Sequence, residues 1–261
     1  MAKHTSIDRI GKALLPWALP AGLLLLWQAG SQTGWISHRV APAPSAVFAA
    51  AWELIRSGEL FVQLWASFVR AGIGFLIGGT LGLVLGLASG GFKTFETLFD
   101  TTVQMVRNVP HLAMIPLVIL WFGIDEAGKL FLVALGTFFP IYVNTFHGIR
   151  SVEAGLVEMG RSYGLTRREL YTKVILPGAL PNILVGVRYA LGFMWLTLIV
   201  AETIAASSGI GYMANSAREF MQTDIVVVAI LLYALLGKLA DTTARAMERR
   251  LLRWNTGYKP A

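Results

Sequence analysis

The sequence predicts an all-α polytopic membrane protein with about six transmembrane helices. Three observations carry this. Of the 261 residues, 55% are hydrophobic and 14% charged, where a soluble domain carries about a quarter charged residues. The mean hydropathy is +0.61. The apolar residues also come in long blocks, and blocks of roughly 18 or more read as membrane helices. The chain has no cysteine, which excludes disulfides, thiolate metal sites and cysteine nucleophiles. The net charge of +7 fits Lys and Arg gathered in cytoplasmic loops. No basic stripe interleaved with aromatics points to nucleic acid.

The first span runs from about Leu14 to Ala29, after Lys3, Arg9 and Lys12. That order mimics a signal peptide. The run ends in Gln28-Ala29-Gly30-Ser31 without a small-x-small cleavage site, so a retained helix is expected. Pro16 and Pro20 sit in its first turns, where a helix tolerates them best. From Pro42 to Trp65, Val47, Phe48, Ala51, Leu54 and Ile55 recur at helical spacing around Glu53 and Arg56. This predicts an amphipathic helix at the interface or packed on the bundle.

The second span, Phe68 to Ser89, opens a glycine series at every fourth position: Gly74, Gly78, Gly82, Gly86 and Gly90. The spacing lines them along one helix face and leaves a groove for a second helix, within the chain or across a dimer. The third span, Val103 to Phe122, contains Arg107, Asn108, Pro110, His111 and Pro116, so its first half is broken or amphipathic. The fourth, fifth and sixth run Leu130 to Gly148, Ile183 to Ala205 and Ile225 to Thr243. Ala244 to Trp254 sets Arg245, Arg249, Arg250 and Arg253 beside Met247, Leu251 and Leu252, a basic amphipathic end suited to an anionic leaflet. A single domain over residues 1–261 is the simplest organisation.

Charge orients the spans. One set of loops holds Lys3, Arg9 and Lys12; Lys93; Arg150, Arg161, Arg167, Arg168 and Lys173; and Arg245, Arg249, Arg250, Arg253 and Lys259. The other holds Arg39, Arg56, Arg70, Lys129 and Arg218. The richer set belongs inside, which puts both termini in the cytoplasm.

The long loop between spans four and five, Ile149 to Asn182, is the most informative segment. Gly164 can end a helix, because glycine accepts the left-handed conformation there. Thr166 can cap the next helix, with Glu169 three residues on completing a capping box. Two short helices with a sharp bend follow, a compact knob suited to a partner.

This loop resembles the EAA motif of bacterial ABC-importer permeases, Glu-Ala-Ala, three residues, Gly, nine residues, then Ile-x-Leu-Pro. Glu158, Met159 and Gly160 take the first three places, Gly164 the glycine, and Val174, Ile175, Leu176 and Pro177 the end. Met159, Gly160 and Val174 depart from the pattern while keeping small or apolar character. Asn108 to His111, Ile115 to Ile124, Ile199 to Ile204 and Ser208 to Tyr212 look like the branch that imports nitrate, taurine and alkanesulfonates. Arg107 to Glu126, Met194 to Thr203 and Tyr233 to Asp241 most resemble its aliphatic-sulfonate permeases. The resemblance implies a type I, methionine-importer-like permease fold in the bacterial cytoplasmic membrane. It further implies a second permease copy as a homodimer, two ATPase subunits and an extracytoplasmic substrate-binding protein. Glu158, Met159, Gly160, Gly164, Leu165, Leu176 and Pro177 would then form the surface coupled to the ATPase. The sequence holds no G-x-x-x-x-G-K-[ST] phosphate loop. ATP and Mg are therefore expected on the partner, with no cofactor or metal on this chain and no enzymatic role for it.

Ionisable residues at membrane depth are functional candidates by default. Arg188, Trp195 and Glu202 are seven apart on the fifth span. Arg188 and Glu202 stand about 21 Å apart along a helix, too far to pair. They either snorkel near the helix ends or line a path. Arg107 and Asn108 join them as path candidates, since a passing sulfonate favours a cation and amide donors. Lys238 and Asp241, three apart, are expected to pair locally. Two other function classes fit less well. An ion-coupled secondary transporter relies on buried carboxylates and repeated halves, and only Glu202 lies well inside an apolar run. An intramembrane enzyme needs a nucleophile–base pair or a metal-ligand set, and His111, His147, Ser207 and Ser208 form neither.

Overall fold

In the computed structural model, residues 6–255 are described. Lys3 and Lys259 of the charge count lie outside them. The helices are α1 (Ser6–Gln32), α2 (Pro44–Arg56), α3 (Glu59–Gly91), α4 (Lys93–Phe95), α5 (Thr101–Arg107), α6 (Ile115–Phe122), α7 (Glu126–Arg150), α8 (Ala154–Ser162), α9 (Arg167–Leu170), α10 (Leu176–Ala205), α11 (Ile210–Glu219) and α12 (Thr223–Leu251). No strand occurs among the described residues. They divide into two compact units, residues 6–61 with 213–231, and residues 62–212 with 232–255.

In the first unit, α1 covers the predicted first span, and α2 is the predicted amphipathic helix. Pro44 opens α2 without a side-chain cap, a place where the missing N–H costs nothing. The buried stripe of α2 is Val47, Ala50 and Leu54. Phe48 and Ile55, expected on the same face, are exposed; the inward stripe is narrower than the apolar residues suggested. Gln28 fastens α1 to the start of α2, its amide donating to Ser45 Oγ at 3.0 Å and accepting from Ser45 N at 3.1 Å.

The second unit is built around α7, which lies between α3 and α10. All five glycines of the series meet α7. A Cβ on Gly78 would stand 2.0 Å from the Ala134 carbonyl oxygen, and one on Gly82 2.6 Å from that of Phe138. Cβ atoms on Gly74, Gly86 and Gly90 would stand 2.6 to 2.9 Å from Val133, Thr145 and Ile149. The opposite face of α7 repeats the device: a Cβ on Gly186 of α10 would reach Pro140 O at 2.9 Å, and one on Gly148 would reach Ala179 O at 3.0 Å. Lipid tails are as apolar as leucine, so helix pairing here rests on close backbone approach rather than on expelling water. Ala71, Val133, Met194, Trp195 and Leu198 form a core cluster along this seam.

The third predicted span is broken. Lys93–Arg107, which includes a π-helical turn at Glu96–Asp100, meets His111–Phe122 at a bend of 82°. Asn108, Val109 and Pro110 separate the two arms, and proline both removes a donor and disfavours helix at the residue before it. Among the described residues, α3, α7, Arg167–Ile204 and α12 are long and apolar enough to cross a membrane, with the bent pair as a fifth candidate. The fifth span starts earlier than expected, because α9 continues through a π turn, Tyr171–Ile175, into α10. Pro177 has no N–H for the Lys173 carbonyl, and the helix accommodates this with the wider turn.

Two positions in the charge count change. Arg70 and Lys129 are not loop cations. They lie within α3 and α7 at 6% and 4% exposure. Removing them from the poorer set widens the contrast between the two sets of loops.

Candidate functional site

The segment between α7 and α10 folds as two short helices around a sharp turn. The α8 helix ends in a Schellman arrangement: Leu165 N donates to Gly160 O at 3.1 Å and Gly164 N to Arg161 O at 2.9 Å. Gly164 has φ +77°, which suits a residue without a Cβ. Both halves of the capping box at Thr166 and Glu169 are formed, and Lys173 Nζ sits 2.9 Å from Glu169. Gly160 is buried, and a Cβ there would stand 2.7 Å from Leu170 and 3.3 Å from Leu165. It therefore lets the two arms of the knob close. Leu176 and Pro177 are half-buried at the start of α10. Glu158 and Met159 are exposed, and so are Leu156 and Tyr163, the last at 82%. Apolar side chains on the outside of a well-fastened knob suit contact with another protein.

At the other end of the same helices lies an ionic cluster that sequence reasoning missed. Glu202 is fully buried. Its carboxylate accepts from Ser67 Oγ, Arg70 Nη1, Gly211 N and Tyr233 OH at 2.7 to 3.2 Å. Arg70 uses all of its donor nitrogens: Nε and Nη2 hold Glu126 at 2.6 and 2.8 Å, and both Nη atoms reach Ser208. Lys129 joins Glu126 at 2.9 Å. Gln63 and Ser67 accept from Gly209 N and Ile210 N, so the first donors of α11 end on side chains of α3 and α10. A carboxylate at a helix N-terminus is favourable. The turn 208–212 is thereby pinned.

This arrangement answers neither reading offered for Glu202. It does not snorkel, and its acceptor positions are filled from within the chain. Trp195, 7% exposed, sits in the core cluster with Leu198. Arg188 Nε bonds Asp241 at 2.9 Å. Asp241 also holds Arg245, so the expected Lys238–Asp241 pair gives way to partners on α10 and one turn further along α12. Asn108 is exposed and donates back to Gln104 O at 3.0 Å. A signal for the missed cluster was present: Gln63, Ser67 and Arg70 continue the glycine face of α3 at helical spacing.

Of the path candidates, Arg107 borders a cavity. This partly open space of about 460 Å³ is lined by Arg107, His111, Gly136, Phe139, Pro140, Val143, Asn144, Tyr189 and Phe193. Arg107 and His111 flank the break in the third span. His111 Nε2 lies 3.1 Å from Thr197 Oγ1, and its ring meets Phe193 edge-on at 6.4 Å.

Residues 78–253 match the family described as binding-protein-dependent transport system inner membrane component. The chain belongs to this family. The permease is 65% identical to SsuC of Escherichia coli (strain K12), described as an aliphatic sulfonates transport permease, over 93% of this chain and 92% of that one. It is 48% identical to the SsuC of Bacillus subtilis (strain 168), over 92% and 87%. The taurine transport permease TauC of Escherichia coli is 35% identical over 90% and 87%. In fold, the permease resembles a chain of an amino acid ABC transporter, with a TM-score of 0.63 at 18% identity, covering 76% of this chain and 97% of that one. A chain of the MetNI methionine ABC transporter gives 0.51 at 21% identity with the same coverage. The all-α, type I importer architecture expected from the sequence is the one found, in a multi-pass inner-membrane protein.

Proposed function

We propose that this permease carries aliphatic sulfonates across the cytoplasmic membrane as the membrane subunit of an ATP-driven importer. The observation that carries the reading is the 65% identity to an aliphatic sulfonates transport permease over nearly the whole chain. The identity to the taurine permease is 35%, which favours sulfonates without an amino group.

The knob formed by α8 and α9 docks on an ATPase subunit, with Met159 and Gly164 at its exposed side and Gly160, Leu176 and Pro177 setting its shape. Two copies of this chain pair with two ATPases, which bind ATP and Mg, and both termini face the cytoplasm. ATP binding draws the knobs together and switches the helices outward. An extracytoplasmic binding protein then delivers the sulfonate, and hydrolysis resets the assembly. The Arg-rich loops and the exposed apolar residues of the knob support this orientation.

Replacing Gly164 tests the coupling role. Gly164→Val forces a β-branched residue into φ +77° and reshapes the bend without touching the helix seams. In proteoliposomes with the ATPase and binding protein, sulfonate uptake per ATP hydrolysed should collapse while the complex still assembles. Unchanged stoichiometry would exclude the knob as the coupling element.

A further inference from the structure

We propose that the cavity beside the break in the third span is a binding site for the sulfonate in transit, with Arg107 holding the anionic head and the apolar wall accepting the alkyl chain. The inference rests on the sulfonate reading above and goes beyond it by placing a discrete site in the membrane.

Three independent features converge there. The first is size: about 460 Å³ falls within the roughly 300–1,000 Å³ of small-molecule sites. The second is the lining, which combines two chemistries. Phe139, Val143, Tyr189 and Phe193 supply apolar side chains, and Arg107, His111 and Asn144 supply polar ones. An alkanesulfonate needs both. Arg107 forms no salt bridge among the described residues, whereas Arg70, Arg150, Arg188 and Arg245 each hold a carboxylate. A guanidinium without a carboxylate, at the mouth of an apolar space, can take a three-oxygen anion through several donors at once. The third is the backbone. Non-helical chain at membrane depth is tolerated where it is buried in protein or lines a cavity, and broken helices commonly border transport sites. Here the break at 108–110 lies between the cavity residues Arg107 and His111.

The other cationic candidate is already occupied. Arg188 is paired with Asp241 and is not among the lining residues. Gly136 contributes by absence: a Cβ there would stand 2.7 Å from Thr197 Oγ1, displacing the partner that fixes His111. Weak binding is expected, since a transit site must also release.

The test uses the complete transporter in proteoliposomes, with radiolabelled butane-1-sulfonate and octane-1-sulfonate. Arg107→Gln should lower uptake of both by about tenfold or more, as expected for losing a charge-assisted contact. Arg107→Lys should keep more uptake than Arg107→Gln. Both should still co-purify with the ATPase subunits. Val143→Phe, which shortens the apolar side, should depress octanesulfonate uptake more than butanesulfonate uptake. Wild-type uptake by Arg107→Gln, or equal effects of Val143→Phe on both lengths, would overturn the site. If Arg107→Gln fails to assemble, the length preference of Val143→Phe decides alone. If the unmodified transporter imports neither sulfonate, the cargo reading fails first and takes this site with it.

Discussion

The two ends of the α3–α7–α10 assembly are fastened in opposite ways. At one end, Arg70, Glu126, Lys129 and Glu202 form a shared ionic cluster that draws in Ser67, Ser208, Tyr233 and the start of α11. At the other, the bend of the knob is closed by sequence neighbours, Thr166 with Glu169, Glu169 with Lys173, and the turn on Gly160 and Arg161, while Tyr171 OH ties its end to α3 by donating to Leu87 O at 2.9 Å. The first end satisfies itself inside the chain. The second is ordered within itself and presents Met159 and Tyr163 outward. A surface that is rigid yet uncovered suits a partner, and a surface whose charges are all consumed suits a fixed joint.

Breaking the joint should have the largest effect. Glu202→Ala leaves the Arg70 guanidinium buried with only part of its pairing. Losing one partner of a buried ion pair costs about 3–5 kcal/mol, so yield and thermal midpoint in detergent should fall sharply. An unchanged midpoint would mean that the cluster does not fasten the helices. The seam between the two ends comes next. Gly78→Leu collides with the Ala134 carbonyl already at its Cβ, while the Cβ of Gly72→Leu meets nothing within 4 Å. Overpacking costs about 1–3 kcal/mol, so the first variant should melt well below the second in paired thermal scans.

Smaller effects are expected at the knob. Thr166→Ala removes a helix cap worth about 1 kcal/mol, and hydrogen exchange should rise in 166–173 without spreading to α7. Exchange that spread to α7 would erase the distinction between a local knob and a shared joint. The smallest change belongs to Arg188→Gln. Its pair with Asp241 is one-third exposed on both sides, and such a pair contributes less than about 1 kcal/mol. A calorimetric shift of several degrees would place it among the joints instead.

The same contrast explains what could be read from the chain. The knob was legible because its signals are local: Gly164 and the Thr166–Glu169 pair act on their own neighbours. The glycine series was legible as a groove, but not its occupant, since spacing along α3 carries no information about α7. The ionic cluster was hidden because Ser67, Glu126, Glu202 and Tyr233 meet only after distant helices pack. Arg70 was counted with the loops by its proximity to a span end, and burial overturned that. The cavity needed both the break at Pro110 and the meeting of that break with α7 and α10, of which only the first leaves a mark in sequence.

Gly209 carries a consequence for how this chain can vary over generations. Its φ is +112°, and a Cβ there would fall 2.4 Å from the Glu202 carboxyl carbon. Any other amino acid both strains the turn and displaces the carboxylate that Arg70 and α11 depend on. Positions 202 and 209 are therefore a locked pair. A saturation screen should find no tolerated single replacement at 209, and a lineage that abandons the glycine must first have lost the acid.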